Sequence, residues 1–266
     1  MNINIQGKFA LVTGGSHGIG HSIALALAEE GCNVAICARN SSRPGYAGRI
    51  EETIAEVEAK GVHGLGIRAD VLVPGDIERV TKTVIEAWGT IHILVNNVGG
   101  GGSWGSSVVE ETEDQVWLDV YSKNALASVR FTMWAIPYMR KQKWGRVVTI
   151  TSLYGREGGG RPWFNMAKAA ETGLMKTLAL NHDLARDGIT FNTVAPGGIM
   201  IPDTVWELQE GKDPVEFEKM LDRQFPLGRL GMPEEVASVV TFVCSKKASL
   251  LNGAVIAVDG GESKSF

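Results

Sequence analysis

The sequence predicts an α/β fold, a single doubly wound parallel sheet of about seven strands with helices on both faces. Short and almost wholly apolar runs alternate along the chain with longer stretches of helical period. Runs that are apolar on both faces are typical of parallel strands buried between two helix layers. A glycine-rich turn at residues 14–20 joins the first run to the first helix, which is a common entry to such folds.

The elements can be taken in order along the chain. The predicted strands are residues 8–13, 33–38, 64–69, 92–96, 146–151, 190–195 and 254–258. The predicted helices are residues 19–30, 47–60, 76–88, 112–142, 162–186 and 233–244. Gly31 and Gly61 stop the first two helices, and Pro137 predicts a kink near the end of the fourth.

No linker, repeat or low-complexity segment divides the chain, so we expect one dinucleotide-binding and catalytic domain over residues 1–266. Residues 197–224 are the one long stretch for which no strand or sheet-covering helix is predicted. An insertion of this kind in an α/β domain is usually a lid or binding loop. We therefore expect it to be a substrate loop.

Composition narrows the function classes. The chain has 266 residues, 44% of them apolar and 21% charged, with a formal net charge of −4. That charge gives no electrostatic case for binding nucleic acid or a membrane surface. No apolar run approaches the roughly 20 residues of a membrane span, and the chain opens directly on strand-like sequence without a signal peptide. We expect a cytoplasmic protein.

Cysteines and histidines give no sign of a metal or a disulfide. Cys32, Cys37 and Cys244 are odd in number and have neither C-x-x-C nor zinc-like spacing. His63, His92 and His182 stand apart in the sequence. We expect reduced thiols and no metal site.

The glycine-rich turn, T-G-G-S-H-G-I-G at residues 13–20, lies between the first predicted strand and the first predicted helix. A pyrophosphate must approach backbone N–H groups at a helix N-terminus, and side chains there would block it. The spacing is G-x-x-x-G-x-G, and the strand–turn–helix context is the one that dinucleotide binding requires. The turn predicts a dinucleotide site on a Rossmann-type sheet.

A second chemical cluster lies in residues 149–168. Ser152 follows the fifth strand, and a glycine-rich turn then leads to a helix carrying Phe164 and Lys168. Residues four apart share one helix face, so the phenyl ring and the ammonium are neighbours. A hydroxyl, an ammonium and an aromatic ring resemble a catalytic floor, but a phenylalanine has no ionisable group and cannot act as an acid or base.

Taken together, the motifs resemble the short-chain dehydrogenase/reductase family, and within it the 3-oxoacyl-carrier-protein reductase-like members. The motifs that carry the resemblance occur in the family's order: T-G-x-x-x-G-I-G near the N-terminus, Asn96-Asn97-Val98-Gly99, Ser152, Lys168, Pro196-Gly197 and Asp259-Gly260-Gly261. The resemblance extends from about residue 6 to residue 261 and implies hydride transfer between a nicotinamide and a carbonyl or secondary alcohol.

The resemblance implies roles for the floor. Ser152 would hold and polarise the substrate carbonyl or hydroxyl. Lys168 would bind the nicotinamide ribose and lower the pKa of a neighbouring phenol. Asn124 would anchor a water that links Lys168 to solvent. Position 164 is where the family has its proton-transferring tyrosine, and this chain has Phe164 there.

The resemblance also implies which residues bind the cofactor. Asp70 and Val71 would enclose the adenine, Asn97 and Gly99 would line the adenosine ribose, and the segment after the sixth strand would flank the carboxamide. The full expected set is Gly14, Ser16, His17, Gly18, Ile19, Gly20, Arg39, Asn40, Asp70, Val71, Asn97, Gly99, Lys168, Pro196, Gly197 and Ile199. The family often has a threonine five residues after the proline; this chain has Ile201 there, and Thr204 is a candidate replacement.

Three explanations of Phe164 are open. The chain is an engineered Tyr→Phe variant, a natural pseudoenzyme that only binds a dinucleotide, or an enzyme in which another phenol, such as Tyr154, acts instead. Loss of a general acid typically costs about 10²–10⁴-fold in rate. We favour the engineered variant, because Ser152, Lys168, Asn124 and the glycine loop are all kept.

The end of the second strand favours NADP(H) over NAD(H). An acidic residue there would bind ribose hydroxyls and repel a 2′-phosphate, but residues 37–40 read C-A-R-N. Arg39 can bind a phosphate with its planar fork of donors, and His17 in the glycine turn offers a second partner.

The sequence says least about the identity of the substrate. Trp104, Tyr154, Trp163 and Trp206 are candidate lining residues for an apolar or ring-bearing carbonyl compound, and packing within loops is an equal alternative for each. The leading hypothesis is that the protein is an NADP(H)-dependent reductase or alcohol dehydrogenase for small molecules. The alternative is a non-catalytic dinucleotide-binding sensor. The resemblance also implies a homo-oligomer, commonly a tetramer.

Overall fold

The structure, a computed structural model, describes residues 3–39, 49–101, 104–106, 108–202 and 204–265, without the side chain of Val205. Within them seven strands form one parallel sheet: β1 (Phe9–Thr13), β2 (Asn33–Ala38), β3 (Gly64–Arg68), β4 (Ile93–Asn96), β5 (Gly145–Ile150), β6 (Ile189–Pro196) and β7 (Val255–Val258). Every predicted strand is present, with ends shifted by a residue or so. The predicted fold class is confirmed.

The strands lie in the order β3-β2-β1-β4-β5-β6-β7, and every pair is parallel. The chain therefore winds outward in one direction from β1 and in the other from β4. Thr13 ends β1 and Asn96 ends β4, so the loops that follow these two strands diverge at the reversal point. Ligands of open α/β sheets bind in the crevice beyond this edge.

Ten α-helices accompany the sheet in the described residues: α1 (Gly18–Glu29), α2 (Arg49–Glu58), α3 (Asp76–Trp88), α4 (Asp114–Tyr121), α5 (Ala127–Lys141), α6 (Pro162–Ala179), α7 (His182–Arg186), α8 (Val205–Lys212), α9 (Pro214–Gln224) and α10 (Pro233–Val243). Side chains of α1, α2 and α10 bury one face of the sheet, and side chains of α3, α5 and α6 bury the other. Successive residues of β1 alternate between the two cores, with Val12 in the first and Leu11 in the second.

Two predicted helices differ in the structure. The region 112–142 contains α4 and α5 joined by a π-helical turn, Ser122–Leu126, and Pro137 lies inside α5. The predicted helix 162–186 is two helices, because Asn181 interrupts it. The Asn181 side chain accepts hydrogen bonds from the N–H groups of Asp183 and Leu184, which caps α7.

The segment 197–224 contains α8 and α9, which the sequence pattern did not predict. Phe217 forms a small apolar cluster with Phe225 and Leu230, which follow the segment, and Trp206 packs against it, apart from the two cores of the sheet. The helices escaped prediction because their apolar residues are few and serve this local cluster. α9 begins after Asp213, whose carboxylate accepts from the N–H of Glu216, and Pro214 takes the first helical position.

The three cysteines are free and buried, as predicted. Burial raises the pKa of the Cys32 and Cys37 thiols to about 12. The described part of the chain contains no helix long and apolar enough to cross a membrane. It also contains no group of three or more His, Cys, Asp or Glu side chains placed to hold a metal ion.

Candidate active site

The glycine loop after β1 has the form that a phosphate requires. Gly14 and Gly18 have φ of 66° and 55°, a region that side-chain-bearing residues rarely enter. A Cβ on Gly20 would lie 2.3 Å from the carbonyl oxygen of Gly14. No side chain caps the N-terminus of α1, where His17 is the N-cap residue. Open N–H groups and close backbone packing fit the pyrophosphate of a dinucleotide.

Asn97 ties the loop after β4 to this glycine loop. Its side-chain Nδ2 donates to the carbonyl oxygens of Thr13, at 2.9 Å, and Gly14, at 3.1 Å. In return, Thr13 Oγ1 accepts from the backbone N–H groups of Asn97 and Val98, at 3.0 and 2.9 Å. The side chain expected to line the ribose thus also fixes the backbone of the phosphate loop.

The expected adenosine side lies at the ends of β2 and β3. Arg39 is exposed, and its Nη1 lies 3.9 Å from Asp70 Oδ2. Val71, the residue after Asp70, is buried. His17 Nδ1 lies 2.6 Å from Nη1 of Arg49, a residue that the sequence did not single out. Asn40 lies outside the described residues.

The floor brings Ser152, Phe164 and Lys168 to the ends of β5 and α6. Lys168 is buried, and its Nζ donates to the carbonyl oxygen of Ile150 at 3.0 Å and to Glu171 Oε2 at 2.8 Å. The same Nζ lies 5.8 Å from the centre of the partly buried Phe164 ring. Ser152 Oγ accepts from the N–H of Tyr154 at 3.3 Å, so its own hydroxyl proton stays available to a ligand.

Asn124 lies in the π-helical turn and meets the floor through Gly99. A Cβ on Gly99 would lie 2.6 Å from Asn124 Oδ1 and 2.9 Å from Lys168 Nζ, so only a glycine lets the three groups converge. Asn124 is fully buried; it donates to the carbonyl oxygens of Gly100 and Val120 and accepts from the N–H of Gly100. π-turns often mark functional positions, and this one carries the expected asparagine.

The segment after β6 is held from two sides. Pro196 ends β6, the N–H of Gly197 donates to the carbonyl oxygen of Val258, and the N–H of Gly198 donates to Glu262 Oε2 at 2.6 Å. The Ile199 side chain is buried in the first core, so this residue can offer a cofactor only its backbone. Ile19 likewise packs against that core.

The residue that replaces the expected threonine packs against the phosphate loop. A Cβ on Gly18 would lie 3.0 Å from a methyl carbon of Ile201. Thr204 Oγ1 donates to the carbonyl oxygen of Ile201 at 2.7 Å, which leaves the hydroxyl oxygen free to accept. Ser16, the remaining residue of the expected set in this loop, is partly exposed there.

The four aromatic candidates divide. Trp163 is fully buried, packed edge-on to Trp117 at 5.7 Å, and donates to the carbonyl oxygen of Gly101. The prediction that it lines a substrate pocket is therefore corrected: its indole is a core side chain. Trp104, Tyr154 and Trp206 are partly exposed, and Trp206 packs edge-on to Phe225 in the cluster of the 197–224 segment.

Two charged residues of the site were missed by sequence reasoning. Glu171, fully buried, pairs with Lys168 and accepts from Ser128 Oγ at 2.7 Å. Its spacing of three from Lys168 on one helix was the available signal. Lys123 carries its ammonium 4.9 Å from the Trp104 ring; burial, with Arg39 nearby, lowers its pKa to about 8.

Residues 14–263 match the family model described as enoyl-(acyl carrier protein) reductase. The chain belongs to the short-chain dehydrogenase/reductase family. The resemblance drawn from the motifs is thereby confirmed, and with it the oxidoreductase class.

Short-chain reductases of two bacteria are similar to the chain over almost their whole length. The 3-oxoacyl-(acyl-carrier-protein) reductase FabG of Staphylococcus epidermidis is 37% identical over 258 residues, covering 96% of this chain and 98% of the relative. The protein of the same name from Aquifex aeolicus is 36% identical over 272 residues, covering 98% and 99%.

Solved structures of short-chain enzymes share the fold. L-sorbose reductase from Gluconobacter frateurii, solved with NADPH and L-sorbose, is 30% identical with a TM-score of 0.89, and the match covers 100% of both chains. A 7α-hydroxysteroid dehydrogenase, solved with NADH and 7-oxo glycochenodeoxycholic acid, is 27% identical with a TM-score of 0.85, and the match covers 99% of this chain and 97% of that one.

Proposed function

We propose that this protein is an NADP(H)-dependent oxidoreductase that interconverts a small-molecule carbonyl and a secondary alcohol, and that its catalytic floor lacks the usual phenol. The observation that carries the proposal is the position of Lys168. Its ammonium is fixed by Ile150 and Glu171, lies beside Gly99 at the reversal point of the sheet, and faces the ring at position 164.

NADP(H) is supported by the exposed Arg39 at the end of β2, in a position where an acidic residue would select NAD(H). The NADPH bound to sorbose reductase agrees with this choice, whereas the hydroxysteroid dehydrogenase was solved with NADH. The glycine loop would hold the pyrophosphate, and Lys168 the nicotinamide ribose. When bound, the cofactor supplies or accepts the hydride.

Ser152 is the group that would polarise the substrate. Its Oγ accepts from Tyr154 N–H, and its hydroxyl proton can be donated to a carbonyl oxygen. Such a donor is most useful where negative charge develops as hydride arrives. The proton must then come from another group, and Phe164 cannot supply it.

Tyr154 is a poor replacement for the absent phenol. Its ring rests on the glycine turn, where a Cβ on Gly159 would lie 2.5 Å from Tyr154 Cε1. Burial, with Glu262 and Glu157 nearby, raises the pKa of the Tyr154 phenol, so the phenolate needed to oxidise an alcohol is disfavoured. Because the Tyr154 ring rests on the glycine turn and does not take the place of residue 164, the proton-donor position beside Lys168 stays unfilled. Of the explanations of Phe164 we keep an engineered Tyr→Phe change as our proposal.

Restoring the phenol tests the function. We expect Phe164→Tyr to raise NADPH-dependent reduction of a panel of aldehydes, ketones and ketoses by about 10²–10⁴-fold. Ser152→Ala in the Phe164→Tyr background should remove most of that gain, because the polarising hydroxyl is lost. Absence of turnover on every substrate, despite NADPH binding in both proteins, would contradict the proposal.

The second candidate, a dinucleotide-binding module without turnover, is favoured by one observation: hydrogen bonds hold the glycine loop and Lys168 in place, while position 164 lacks an acid. In that case Phe164→Tyr would bind NADPH as tightly as the parent and remain inactive. A tyrosine codon at position 164 of the source gene would instead identify a designed change.

A carrier-protein substrate is not part of the proposal, although the bacterial relatives carry that activity in their names. Binding a carrier protein would require an exposed basic surface near the pocket. Arg140 and Lys143 both pair with Asp187, and Arg146 is buried with its guanidinium on backbone carbonyls.

A cytoplasmic location, a homotetrameric assembly and one domain over 1–266 remain predictions from the sequence.

A further inference from the structure

The buried triad Lys168, Glu171 and Ser128 joins α6 to α5 beneath the catalytic floor. Lys168 Nζ and Glu171 Oε2 are 2.8 Å apart, and Ser128 Oγ donates to Glu171 Oε1 at 2.7 Å. The Lys168 side chain is 4% exposed and that of Glu171 is 0% exposed. An ion pair so enclosed is screened very little by solvent, so each charge strongly determines the field around the other.

The charge of this pair matters because of what surrounds it. A lysine can lower the pKa of a phenol about 5 Å away only if its positive charge is not cancelled. Here the ring centre of residue 164 lies 5.8 Å from Lys168 Nζ, and the Glu171 carboxylate accepts a hydrogen bond from the same ammonium at 2.8 Å. Burial lowers the pKa of Lys123, on the π-helical turn, and the positive charges of Arg39 and Lys168 lower it further.

We infer that Glu171 is a positioning residue that holds the Lys168 ammonium for ribose binding and cancels its charge, so that Lys168 anchors a ligand in this protein and does not acidify a phenol. Burial raises the pKa of the Glu171 carboxyl, and the Lys168 ammonium beside it opposes that rise. Whether the shared proton lies on the nitrogen or on the oxygen, the two groups together carry no net charge.

The inference deepens the proposed function and rests on its placing Lys168 at the ribose. It also limits what Phe164→Tyr alone achieves. A phenol of ordinary pKa, about 10, is protonated at neutral pH and can donate to a carbonyl during reduction. It is a poor base for alcohol oxidation. We therefore expect Phe164→Tyr to restore reduction, while oxidation by NADP⁺ stays slow below about pH 9 until the carboxylate is removed as well.

The decisive measurement is the pKa of the introduced phenol, followed by NMR of protein labelled at tyrosine Cζ, with the parent's four tyrosines as the background to subtract. For Phe164→Tyr we expect a value near 10. For Phe164→Tyr/Glu171→Gln we expect a value lower by about 1 or more, because the charge is removed while the amide oxygen can still accept from Lys168 and the amide N–H can donate to Ser128 Oγ. Glu171→Met replaces Glu171→Gln if the amide variant does not fold.

Phe164→Tyr/Ser128→Ala is the matched control, since it removes a hydrogen bond from Glu171 and keeps its charge. We expect the phenol in this control to titrate close to that of Phe164→Tyr. A clearly depressed pKa in Phe164→Tyr alone, or equal values with and without the Glu171 carboxylate, would overturn the inference. The titration needs no turnover, so it decides the inference even if every variant is inactive and the proposed function fails.

Discussion

Asn97 and Thr13 lock together the two loops that meet at the reversal point of the sheet: the Asn97 amide donates to Thr13 O at 2.9 Å, and Thr13 Oγ1 accepts from Asn97 N at 3.0 Å. The pairing joins the loops after β4 and β1 across 84 residues of sequence. Cofactor binding and folding stability should therefore depend on the same few hydrogen bonds.

Removing this lock should affect both properties. Asn97→Leu keeps the size of the side chain but leaves the carbonyls of Thr13 and Gly14 without their donor. We expect a loss of about 1–3 kcal/mol in the free energy of unfolding, measured by urea denaturation, together with weaker NADPH binding. Thr13→Val, which removes the acceptor for two N–H groups, should behave alike. An unchanged unfolding midpoint in both variants would contradict the role of the lock.

A methyl group at Gly20 should disrupt the phosphate loop. The added Cβ would meet the carbonyl oxygen of Gly14 at 2.3 Å and Asn97 Nδ2 at 2.4 Å. We expect Gly20→Ala to lower stability by about 1–3 kcal/mol and to abolish tight NADPH binding, as measured by calorimetry.

Gly173 in α6 gives the matched control, because a Cβ there meets nothing within 4 Å. Gly173→Ala should raise stability by about 0.5–1 kcal/mol and leave NADPH binding unchanged. If Gly20→Ala and Gly173→Ala change stability and NADPH binding equally, the close approach of Gly20 to Gly14 and Asn97 is not needed for either property.

Arg39 should determine the choice between the two nicotinamide cofactors. A charge-assisted hydrogen bond contributes about 1.5–3 kcal/mol, so Arg39→Ala should weaken NADPH binding by about 10–100-fold and leave NADH binding nearly unchanged. Arg68→Ala, at an exposed arginine paired with Glu51 at the end of β3, is the control. If the preference for NADPH survives Arg39→Ala, the assignment of Arg39 is wrong.

Folding stability should fall in mild acid because of His92. Burial, with Lys8 nearby, lowers the pKa of His92 to about 4, and its Nδ1 accepts from the N–H of Phe9 at 3.2 Å. The unfolded chain, with a histidine pKa of about 6.5, binds the proton first. Stability is therefore lost as the pH falls from about 6.5 toward 4, by about 1–2 kcal/mol after allowance for partial exposure.

The contribution of His92 can be isolated by comparing urea unfolding at pH 7 and pH 4.5 in the parent and in His92→Gln. The glutamine can still accept from Phe9 but does not titrate, so the drop attributable to His92 should vanish. His63→Gln, at an exposed histidine, should retain the parent's pH dependence. The prediction fails if His92→Gln loses as much stability in acid as the parent.

Trp163 and Trp206 should separate packing from substrate contact. Trp163→Ala empties a fully buried site and should cost about 3–5 kcal/mol of folding stability. Trp206→Ala, at a partly exposed residue of α8, should cost less and should raise the KM for the carbonyl substrate in the Phe164→Tyr background. A KM unchanged by Trp206→Ala would remove that residue from the substrate site.

The sheet could be predicted almost residue by residue because most of its strands are continuous apolar runs bounded by glycine or polar residues. The site motifs could be placed as well, since Thr13 ends β1 and Asn97 follows β4, so both lie at the same edge of the parallel sheet. What local periodicity could not show was the break at Asn181, where a single capping side chain outweighs a helical pattern that continues on both sides.

The misassigned side chains have a common cause in tertiary packing. Trp163 and Phe164 are adjacent on one helix, and the sequence alone does not say which of them turns into the core formed with Trp117. Glu171 was overlooked because its second partner, Ser128, lies 43 residues away on another helix. Contacts of that range exist only once α5 and α6 lie against the same face of the sheet.

The π-helical turn at Ser122–Leu126 has a consequence for the helices on either side of it. A turn that holds one extra residue advances the helix surface by about 100° relative to an uninterrupted α-helix. Val120, before the turn, packs with Trp163 near the floor, whereas Phe131, after it, packs in the core beneath the sheet. The extra residue therefore rotates the face of α5 relative to that of α4 without ending the helical region. Deleting one residue here would turn one of the two apolar faces toward solvent while leaving the chain helical.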